Sequence, residues 1–339
     1  MAHRSPENPS LASRMAEHDA RPGRSCPISY RYGTEALKRC AEIEADTLYI
    51  AGGLYGNPFA LDALLDLVAS DPGAQLVFNG DFNWFDIDPA DFRRVNEAVL
   101  DHHATRGNVE TELARPAGGA GCGCGYPDWV GDAEVERSNR IMERLRETAA
   151  RYPDLTSRLG ALPAYLAARI RGVRIGIVHG DGESLAGWGF SQEILATEDG
   201  RASARAAFAA AGVRIFASSH TCLPVLQRFD DAGGERAIVN NGAAGMPNFL
   251  GTRFGLATRI SAHRSPRARA YGASVGGLYV DAVRIDYDVP AWEARFLANW
   301  PAGSDAHMSY YGRICNGPRY AVEQAMRPTS LVRRMNLTA

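Results

Sequence analysis

Lysine is almost absent from this chain of 339 residues: Lys38 is the only one, and the remaining Lys+Arg residues are arginines. A phosphate-binding loop of the Walker type depends on a lysine that follows its glycines. The near absence of lysine therefore removes this type of loop. An excess of one charge is also lacking, because the formal net charge is −2. Nothing in that balance suggests a nucleic acid or an acidic membrane as a partner.

Long apolar runs are lacking as well. No stretch reaches the roughly 20 apolar residues that a membrane-spanning helix needs, and the chain does not begin with an apolar signal segment. Without such a segment, we do not expect the six cysteines of this long chain to form a disulfide framework. We expect a soluble cytoplasmic protein. The sequence does not indicate its oligomeric state.

Composition changes along the chain predict three parts. Hydrophobic residues make up 45% of the whole, which leaves ample chain for a core. Residues 1–25 are polar, with scattered proline, arginine and serine, and predict a flexible leader. Residues 26–300 predict one large α/β domain, and residues 301–339 predict a helical extension packed on it.

Strands and helices alternate in the first third of the chain. Residues 47–51 and 75–79 are short apolar runs, typical of buried strands. A helix is predicted to open at Asn57-Pro58 and another at Pro89, because proline is favoured in the first helical turn. A third strand around Thr105-Arg106 completes the order β-α-β-α-β. This order predicts a parallel or mixed sheet with helices on its faces.

Two stretches are interpreted as loops. Residues 114–131 are too rich in glycine for a helix or strand, and we expect a mobile lid over the functional crevice. The lid carries Cys122 and Cys124. As an alternative to a flexible lid, these cysteines bind a metal or act in redox chemistry, although one intervening residue is fewer than in the usual zinc-binding Cys-x-x-Cys motif. The arginine-rich stretch Arg259–Arg269 is interpreted as a solvated loop, with an anionic substrate or a partner as the alternative.

Polar residues follow several strand-like runs at the point where each run ends. In an α/β sheet the carboxyl ends of the strands border the ligand crevice. A cluster of carboxylate, amide and imidazole groups at that edge is typical of a metal site. The residues concerned are Asp81, Asn108, His179 and His220.

These blocks resemble, in order and spacing, the motifs of the calcineurin-like metallophosphoesterase superfamily, and most closely its small bacterial and archaeal phosphodiesterase branch. The resemblance covers roughly residues 46 to 290. It implies a two-sheet β-sandwich flanked by helices, in four αββα layers. The matching blocks are Gly53-Leu54-Tyr55-Gly56-Asn57, Gly80-Asp81, Gly107-Asn108-Val109-Glu110, Val178-His179-Gly180-Asp181 and Ser219-His220-Thr221-Cys222.

The departures from the family motifs fall mainly on one metal position. The resemblance implies that the second position keeps all of its ligands, Asp81, Asn108, His179 and His220. At the first position the family has an aspartate, two histidines and the shared carboxylate of Asp81. This chain has Gly53, Tyr55 and Cys222 in place of the first three. Val109 stands where the family has a histidine often assigned to protonation of the leaving group.

The resemblance implies a metal-dependent hydrolase in which a metal-bound water attacks a phosphate ester. The mixed nitrogen and oxygen ligands suit Mn, Fe or Zn, and we expect one ion rather than two. The expected partner is a small phosphate-containing substrate. One alternative is a catalytically impaired regulatory module that binds a metal and a phosphate ligand. Another is a different metal reaction that uses Cys222 with Cys122 or Cys124.

Several single residues keep two interpretations. Cys222 is either a thiolate ligand of a metal or a small buried hydrophobe. Tyr55 either donates a hydrogen bond to the substrate or fills the space of the lost metal. Glu110 either orients a metal ligand or faces water. His102 and His103 either replace the missing acid or cap a helix at the surface.

Overall fold

The structure is a computed structural model that describes residues 21–115 and 120–327. Most of the predicted leader therefore lies outside the described residues. So do residues 116–119 of the predicted lid and residues 328–339 of the predicted extension. The predicted division into three parts stays a prediction.

Two β-sheets form the centre of the molecule. The first has the strand order β11-β12-β10-β2-β3-β4, and the second has the order β1-β5-β6-β7-β9-β8-β13. The strands are β1 (Glu42–Glu44), β2 (Thr47–Ala51), β3 (Gln75–Asn79), β4 (His103–Thr105), β5 (Tyr165–Ile170), β6 (Val173–Val178), β7 (Ile215–Ser218), β8 (Val225–Asp231), β9 (Gly234–Asn240), β10 (Gly255–Ser261), β11 (Arg269–Val275), β12 (Leu278–Ile285) and β13 (Met326–Arg327).

Helices cover the outer faces of the sheets. They are α1 (Pro58–Ala69), α2 (Pro89–Leu100), α3 (Asn108–Leu113), α4 (Asp132–Ala149), α5 (Pro153–Ala161), α6 (Glu198–Ala211), α7 (Val289–Asn299), α8 (Gly312–Asn316) and α9 (Val322–Ala325). Short 3₁₀ turns span Ile28–Tyr30, Thr34–Arg39 and Ile194–Ala196, and a π-helical turn spans His307–Tyr311. No helix in the described part of the chain combines the length and apolarity needed to cross a membrane.

The alternation of side chains along β2 explains the layers. Successive residues of a strand point to opposite faces. Leu48 and Ile50 pack between the two sheets, in one core with Ile177 of the second sheet. Tyr49 and Ala51 pack in the other core, under the helices. A third core lies between α6 and the second sheet. The predicted four-layer αββα sandwich is confirmed.

The predicted helix starts are confirmed at α1 and α2. The Asn57 side chain accepts hydrogen bonds from the amides of Phe59 and Ala60, and Asp88 caps α2 in the same way. Each helix then begins on a proline, whose missing N–H would have had no partner in the first turn. Asn57 thereby fixes the turn that follows β2.

The loop interpretation of Arg259–Arg269 is wrong at both ends, since Arg269 begins β11. Arg259 lies in β10, a strand paired on both sides by β2 and β12, and is only 2% exposed. Its guanidinium donates to the carboxylate of Asp71 at 2.7 Å and to the carbonyl of His263 at 2.8 Å. A buried charge is tolerated where such partners satisfy it, which is why an arginine fits a central strand here.

Candidate metal centre

Parallel strands bring the predicted site residues together. β3 and β4 are parallel neighbours in the first sheet, and β6 and β7 are parallel neighbours in the second. Asp81 follows β3, Asn108 follows β4, His179 follows β6 and His220 follows β7. All four residues are buried. We call these four residues the ligand cluster, since their side chains meet at the carboxyl edges of both sheets.

Short distances join the side chains of the ligand cluster. The Nε2 atom of His179 lies 3.2 Å from Oδ2 of Asp81, 3.3 Å from Oδ1 of Asn108 and 3.2 Å from Nδ1 of His220. Within the described residues, Asp81, His179 and His220 form a group of side chains able to hold a metal ion. The amide oxygen of Asn108 points into the same group.

Backbone carbonyls fix which atoms of the ligand cluster face one another. A carbonyl only accepts hydrogen bonds, so the atoms that contact it carry hydrogen. Nδ1 of His179 donates to the carbonyl of Asn79, and Nε2 of His220 donates to the carbonyl of Cys124, both at 2.8 Å. Asn108 Nδ2 donates to the carbonyl of Cys122 at 2.9 Å. In neutral rings the remaining nitrogens therefore present lone pairs.

Four acceptor atoms thus converge without a donor between them. Two imidazole lone pairs 3.2 Å apart, a carboxylate oxygen and an amide oxygen form an arrangement that a cation at their centre satisfies, as a proton shared by His179 and Asp81 does in part. In a tetrahedral site with bonds of about 2.0–2.1 Å, neighbouring ligand atoms lie about 3.3–3.4 Å apart. The observed distances of 3.2 to 3.3 Å agree with that geometry. The residues present therefore fit a metal ion.

Burial and mutual charge set the protonation of the cluster. Burial and the neighbouring His179 lower the pKa of His220 to about 4, so its ring is neutral at neutral pH. Burial disfavours the charged form of His179, but the attraction of Asp81 outweighs it and raises the pKa of that ring. Burial likewise opposes the charge of Asp81, while His179 lowers its pKa. A neutral imidazole and an ionised carboxylate are the forms that bind metals.

Glu110 holds two of the turns that carry the ligand cluster. Its buried carboxylate accepts hydrogen bonds from the backbone amides of Asp81 at 2.8 Å and Gly107 at 2.9 Å, and from the side chain of Asn83 at 3.0 Å. Burial and the charge of Asp81 raise its pKa. The interpretation that Glu110 faces water is wrong; it orients the loop that places Asp81.

Glycines are required where these turns touch. A Cβ on Gly80 would overlap the ring of His179, and a Cβ on Gly107 would overlap the carboxylate of Asp81.

Asn79, directly before Gly80, was missed by the sequence analysis. Its side chain donates to the carbonyl of Val178 at 2.8 Å and to the hydroxyl of Ser219 at 2.9 Å, which ties the two sheets together under the cluster. Its position next to Gly80-Asp81 was the available signal.

The ring of Tyr55 fills the space beside Gly53. A Cβ added to Gly53 would overlap the phenol ring of Tyr55, so an aspartate does not fit there while that ring is present. The Tyr55 hydroxyl lies 2.7 Å from Sγ of Cys222. Burial raises the pKa of Tyr55 well above its usual range and that of Cys222 above its own, so both groups stay protonated. Both interpretations of Tyr55 stay predictions.

Cys222 therefore contacts Tyr55 and lies outside the group formed by Asp81, His179 and His220. Its assignment as a metal ligand stays a prediction. Cys122 and Cys124 are both buried, and their backbone carbonyls, which accept from Asn108 and His220, serve the ligand cluster directly.

Residues 120–131 of the predicted lid lie against the ligand cluster and are anchored there. The amide of Cys122 donates to the side chain of Asn139 at 3.0 Å, and the Trp188 indole donates to the carbonyl of Cys124 at 3.1 Å. These anchors argue against the mobility expected from glycine content alone. His102 and His103 are exposed and lie at the amino end of β4, so they do not reach the site that its carboxyl end forms.

A cavity of about 70 Å³ opens on the ligand cluster. Its aromatic lining was not predicted, because its members come from distant parts of the chain. Tyr310 belongs to the π-helical turn of the C-terminal extension and packs on Phe85, with ring centroids 5.1 Å apart. The lining aromatic residues are Tyr55, Trp84, Tyr126, Trp188 and Tyr310.

Comparison of sequences finds no match: no family model fits the chain, and no curated protein is significantly similar to it. Solved structures do match. A metallophosphoesterase from Sphaerobacter thermophilus superposes with a TM-score of 0.52 at 17% identity, covering 81% of this chain and 100% of the other. A hypothetical protein from Pyrococcus horikoshii gives a TM-score of 0.52 at 15% identity, covering 82% and 100%.

These similarities, at the identities found, concern the fold. They span most of this chain and the whole of each matched chain. The two sheets and their flanking helices belong to this shared fold. The fold of this chain is that of the calcineurin-like metallophosphoesterases.

Proposed function

We propose that this protein is a metal-dependent phosphoesterase that works with one divalent transition metal ion, Mn, Fe or Zn. The observation that carries the proposal is the convergence of four atoms able to bind a metal, from Asp81, Asn108, His179 and His220. Imidazole, carboxylate and amide ligands suit these metals. When bound, such an ion lowers the pKa of a coordinated water and so supplies a nucleophile near neutral pH.

The residues around the ligand cluster have separate tasks in this proposal. Glu110 and the carbonyls of Asn79, Cys122 and Cys124 hold the ligands in one orientation. Tyr55, protonated and buried, is a neutral hydrogen-bond donor at the place where the family has a second cation. Val109 offers no proton to a leaving group. We therefore propose slow turnover that favours esters whose leaving group departs without protonation.

The size of the cavity bears on the substrate. A volume of about 70 Å³ corresponds to roughly two water molecules at about 30 Å³ each. This is room for a phosphoryl group, while the rest of the molecule would remain outside the aromatic lining. We propose a small phosphate ester with a good leaving group as the substrate class.

The experiment is metal analysis of the purified protein together with turnover of aryl phosphate mono- and diesters. We expect one ion per chain and metal-dependent hydrolysis. His220→Ala and Asp81→Ala should lose both while staying folded, because truncation at a strand end removes coordination rather than core volume. His103→Ala, an exposed histidine, is the matched control and should keep both. Full metal occupancy in both ligand variants would refute the site.

The second candidate is a regulatory module that binds a metal and a phosphate ligand without turnover. The observation that favours it is the ring of Tyr55 in the space of the altered metal position. Bound metal and phosphate-ester binding in the absence of measurable hydrolysis would select this candidate over the enzyme.

A further inference from the structure

A second and larger cavity, of about 550 Å³, lies away from the aromatic one and shares none of its lining residues. It is formed by the two 3₁₀ turns near the start of the described chain, by α3 and by β5. We call it the arginine cavity. Its charged and aromatic lining residues are Arg39, Arg106, Arg115, Tyr30, Tyr32 and Tyr165. A volume in the range of about 300–1,000 Å³ is typical of sites for small organic ligands.

Positive charge in the arginine cavity is incompletely neutralised. Among the described residues that line it there is no aspartate or glutamate. Arg39 is exposed, and no ion pair involves it within the described chain. Arg115 forms an ion pair with the buried carboxylate of Glu112 at 3.1 Å, and the same carboxylate forms an ion pair with Arg146 at 3.3 Å. One carboxylate thus serves two guanidinium groups.

Arg106 is the most unusual of the three arginines. Its Nη1 donates to the carbonyls of Gly160 and Leu162, which are neutral partners. Its Nε is buried and finds no hydrogen-bond partner among the described residues. Burial and the positive charge of Arg115 lower the pKa of this guanidinium. Its partners are thus neutral carbonyls, and no carboxylate among the described residues offsets its positive charge, which remains available to an anion.

Aromatic rings form another part of the wall. Tyr32 and Tyr165 lie together, with ring centroids 4.8 Å apart. Tyr30 lies under the guanidinium of Arg115, 5.3 Å from its ring centroid. The hydroxyls of Tyr30 and Tyr32 are already used, by Glu112 and by the carbonyl of Asp181. Tyr30 is buried beneath Arg115, whereas Tyr32 and Tyr165 are half-buried and offer apolar surface that suits a flat organic body.

We propose that the arginine cavity binds an aromatic phosphate of nucleotide size. The phosphate would lie between Arg39 and Arg106, whose two uncompensated charges match a phosphate dianion. The aromatic body would lie against Tyr32 and Tyr165. This site is separate from the ligand cluster, although α3 contributes to both: Asn108 begins the helix, and Thr111 lines the arginine cavity.

Calorimetric titration of the full chain tests the proposal. The probes are adenosine monophosphate, adenosine and inorganic phosphate. We expect the monophosphate to bind at least about tenfold more tightly than either fragment, because only it uses both the charges and the rings. Arg39→Gln should weaken its binding about tenfold. This variant removes an exposed side chain and should fold normally. Arg93→Gln, an exposed arginine on α2, is the control and should bind as the unmodified protein does.

The same titration in His220→Ala separates this proposal from the proposed enzyme. Unchanged binding of the monophosphate there, with loss in Arg39→Gln, places the ligand in the arginine cavity whether or not the metal centre hydrolyses esters. Loss in His220→Ala with retention in Arg39→Gln would place the ligand at the metal centre and overturn the proposal. Adenosine binding as tightly as the monophosphate would overturn it too.

Discussion

Single residues around the ligand cluster adopt an uncommon backbone conformation. Four described residues other than glycine have a positive φ: Tyr55 at 55°, Asp81 at 53°, Cys222 at 61° and Arg171 at 47°. The first three surround the site, and Arg171 lies in the turn between β5 and β6. Each such residue costs about 1–3 kcal/mol. Tyr55 and Cys222 thus share this uncommon backbone with Asp81, and their side chains contact one another.

Restoring the altered metal position requires three changes together. The combination Gly53→Asp, Tyr55→His and Cys222→His removes the blocking ring and supplies ligands, so we expect two ions per chain by elemental analysis and faster phosphodiester hydrolysis. Gly53→Asp alone should add no ion and destabilise the fold by about 1–3 kcal/mol, since its side chain overlaps Tyr55. Two ions in the unmodified protein would show that the position is already complete.

The buried carboxyl group of Asp86 should make the stability of the protein depend on pH. Complete burial raises the pKa of this carboxyl from 3.8 to about 7, and its Oδ2 has no hydrogen-bond partner among the described residues. The folded state thus holds a proton that the unfolded state releases near pH 4. The contribution of this group to the free energy of unfolding is complete below about pH 4 and is lost as the pH rises to about 7. The loss is of the order of 4 kcal/mol.

Urea unfolding of chelated protein between about pH 4 and pH 8 measures this effect. Asp86→Asn should gain stability relative to the unmodified protein as the pH rises, because an amide needs no proton. Asp101→Asn, at an exposed position on the surface, is the control and should give a curve parallel to that of the unmodified protein. A curve for Asp86→Asn that is also parallel would contradict the prediction.

At the scale of elements, the glycine-rich segment acts through its backbone. Residues 120–126 pass over the ligand cluster and place the carbonyls of Cys122 and Cys124 against Asn108 and His220. Gly123 has a φ of 69°, and a Cβ there would overlap the hydroxyl of Tyr30. The glycines therefore permit a close approach of this segment to α3, and the approach fixes the ligands.

Gly123→Ala should weaken metal binding about 10–100-fold while the protein stays folded, because it shifts the carbonyls that orient the ligands. Gly131→Ala is a matched control, since a Cβ at that position meets no atom within 4 Å. Metal affinity is measured by competition with a chelator of known strength. Equal affinity in the two variants would show that the segment does not position the cluster.

At the scale of the whole molecule, the ligand cluster joins the two sheets. Asp81 and Asn108 follow strands of the first sheet, and His179 and His220 follow strands of the second. The C-terminal extension contributes further contacts. It lines the aromatic cavity with Tyr310 and pairs β13 with β8 of the second sheet. A bound ion would therefore act as a cross-link between the halves of the sandwich.

Chelation should lower the unfolding free energy of the whole domain without unfolding it. An ion present at about 1,000 times its dissociation constant contributes about 4 kcal/mol. Thermal unfolding with and without chelator measures the change, and Zn or Mn should restore it. His220→Ala should show no shift on chelation. A shift of the same size in that variant would indicate that metal binds elsewhere.

The helix starts at Pro58 and Pro89 and the ligand cluster were predicted from local signals, namely proline at a first turn and polar residues after strands. The four layers were predicted from the family resemblance, since local patterns alone indicated only a sheet with helices on its faces. β10 was missed because the buried charge of Arg259 resembles a surface residue until Asp71, far away in the chain, is brought beside it. Local signals do not contain such pairings.

The sequence by itself determined which residues end the strands, and therefore that Asp81, Asn108, His179 and His220 meet at one edge. Only the tertiary structure decided what surrounds them. The ring of Tyr55 fills the space beside Gly53, Tyr310 closes the cavity from the far end of the chain, and three arginines from separate elements line a second cavity. The physical reason is that the volume and charge of a pocket depend on side chains from distant segments of the chain. A local sequence pattern does not show which distant segments meet.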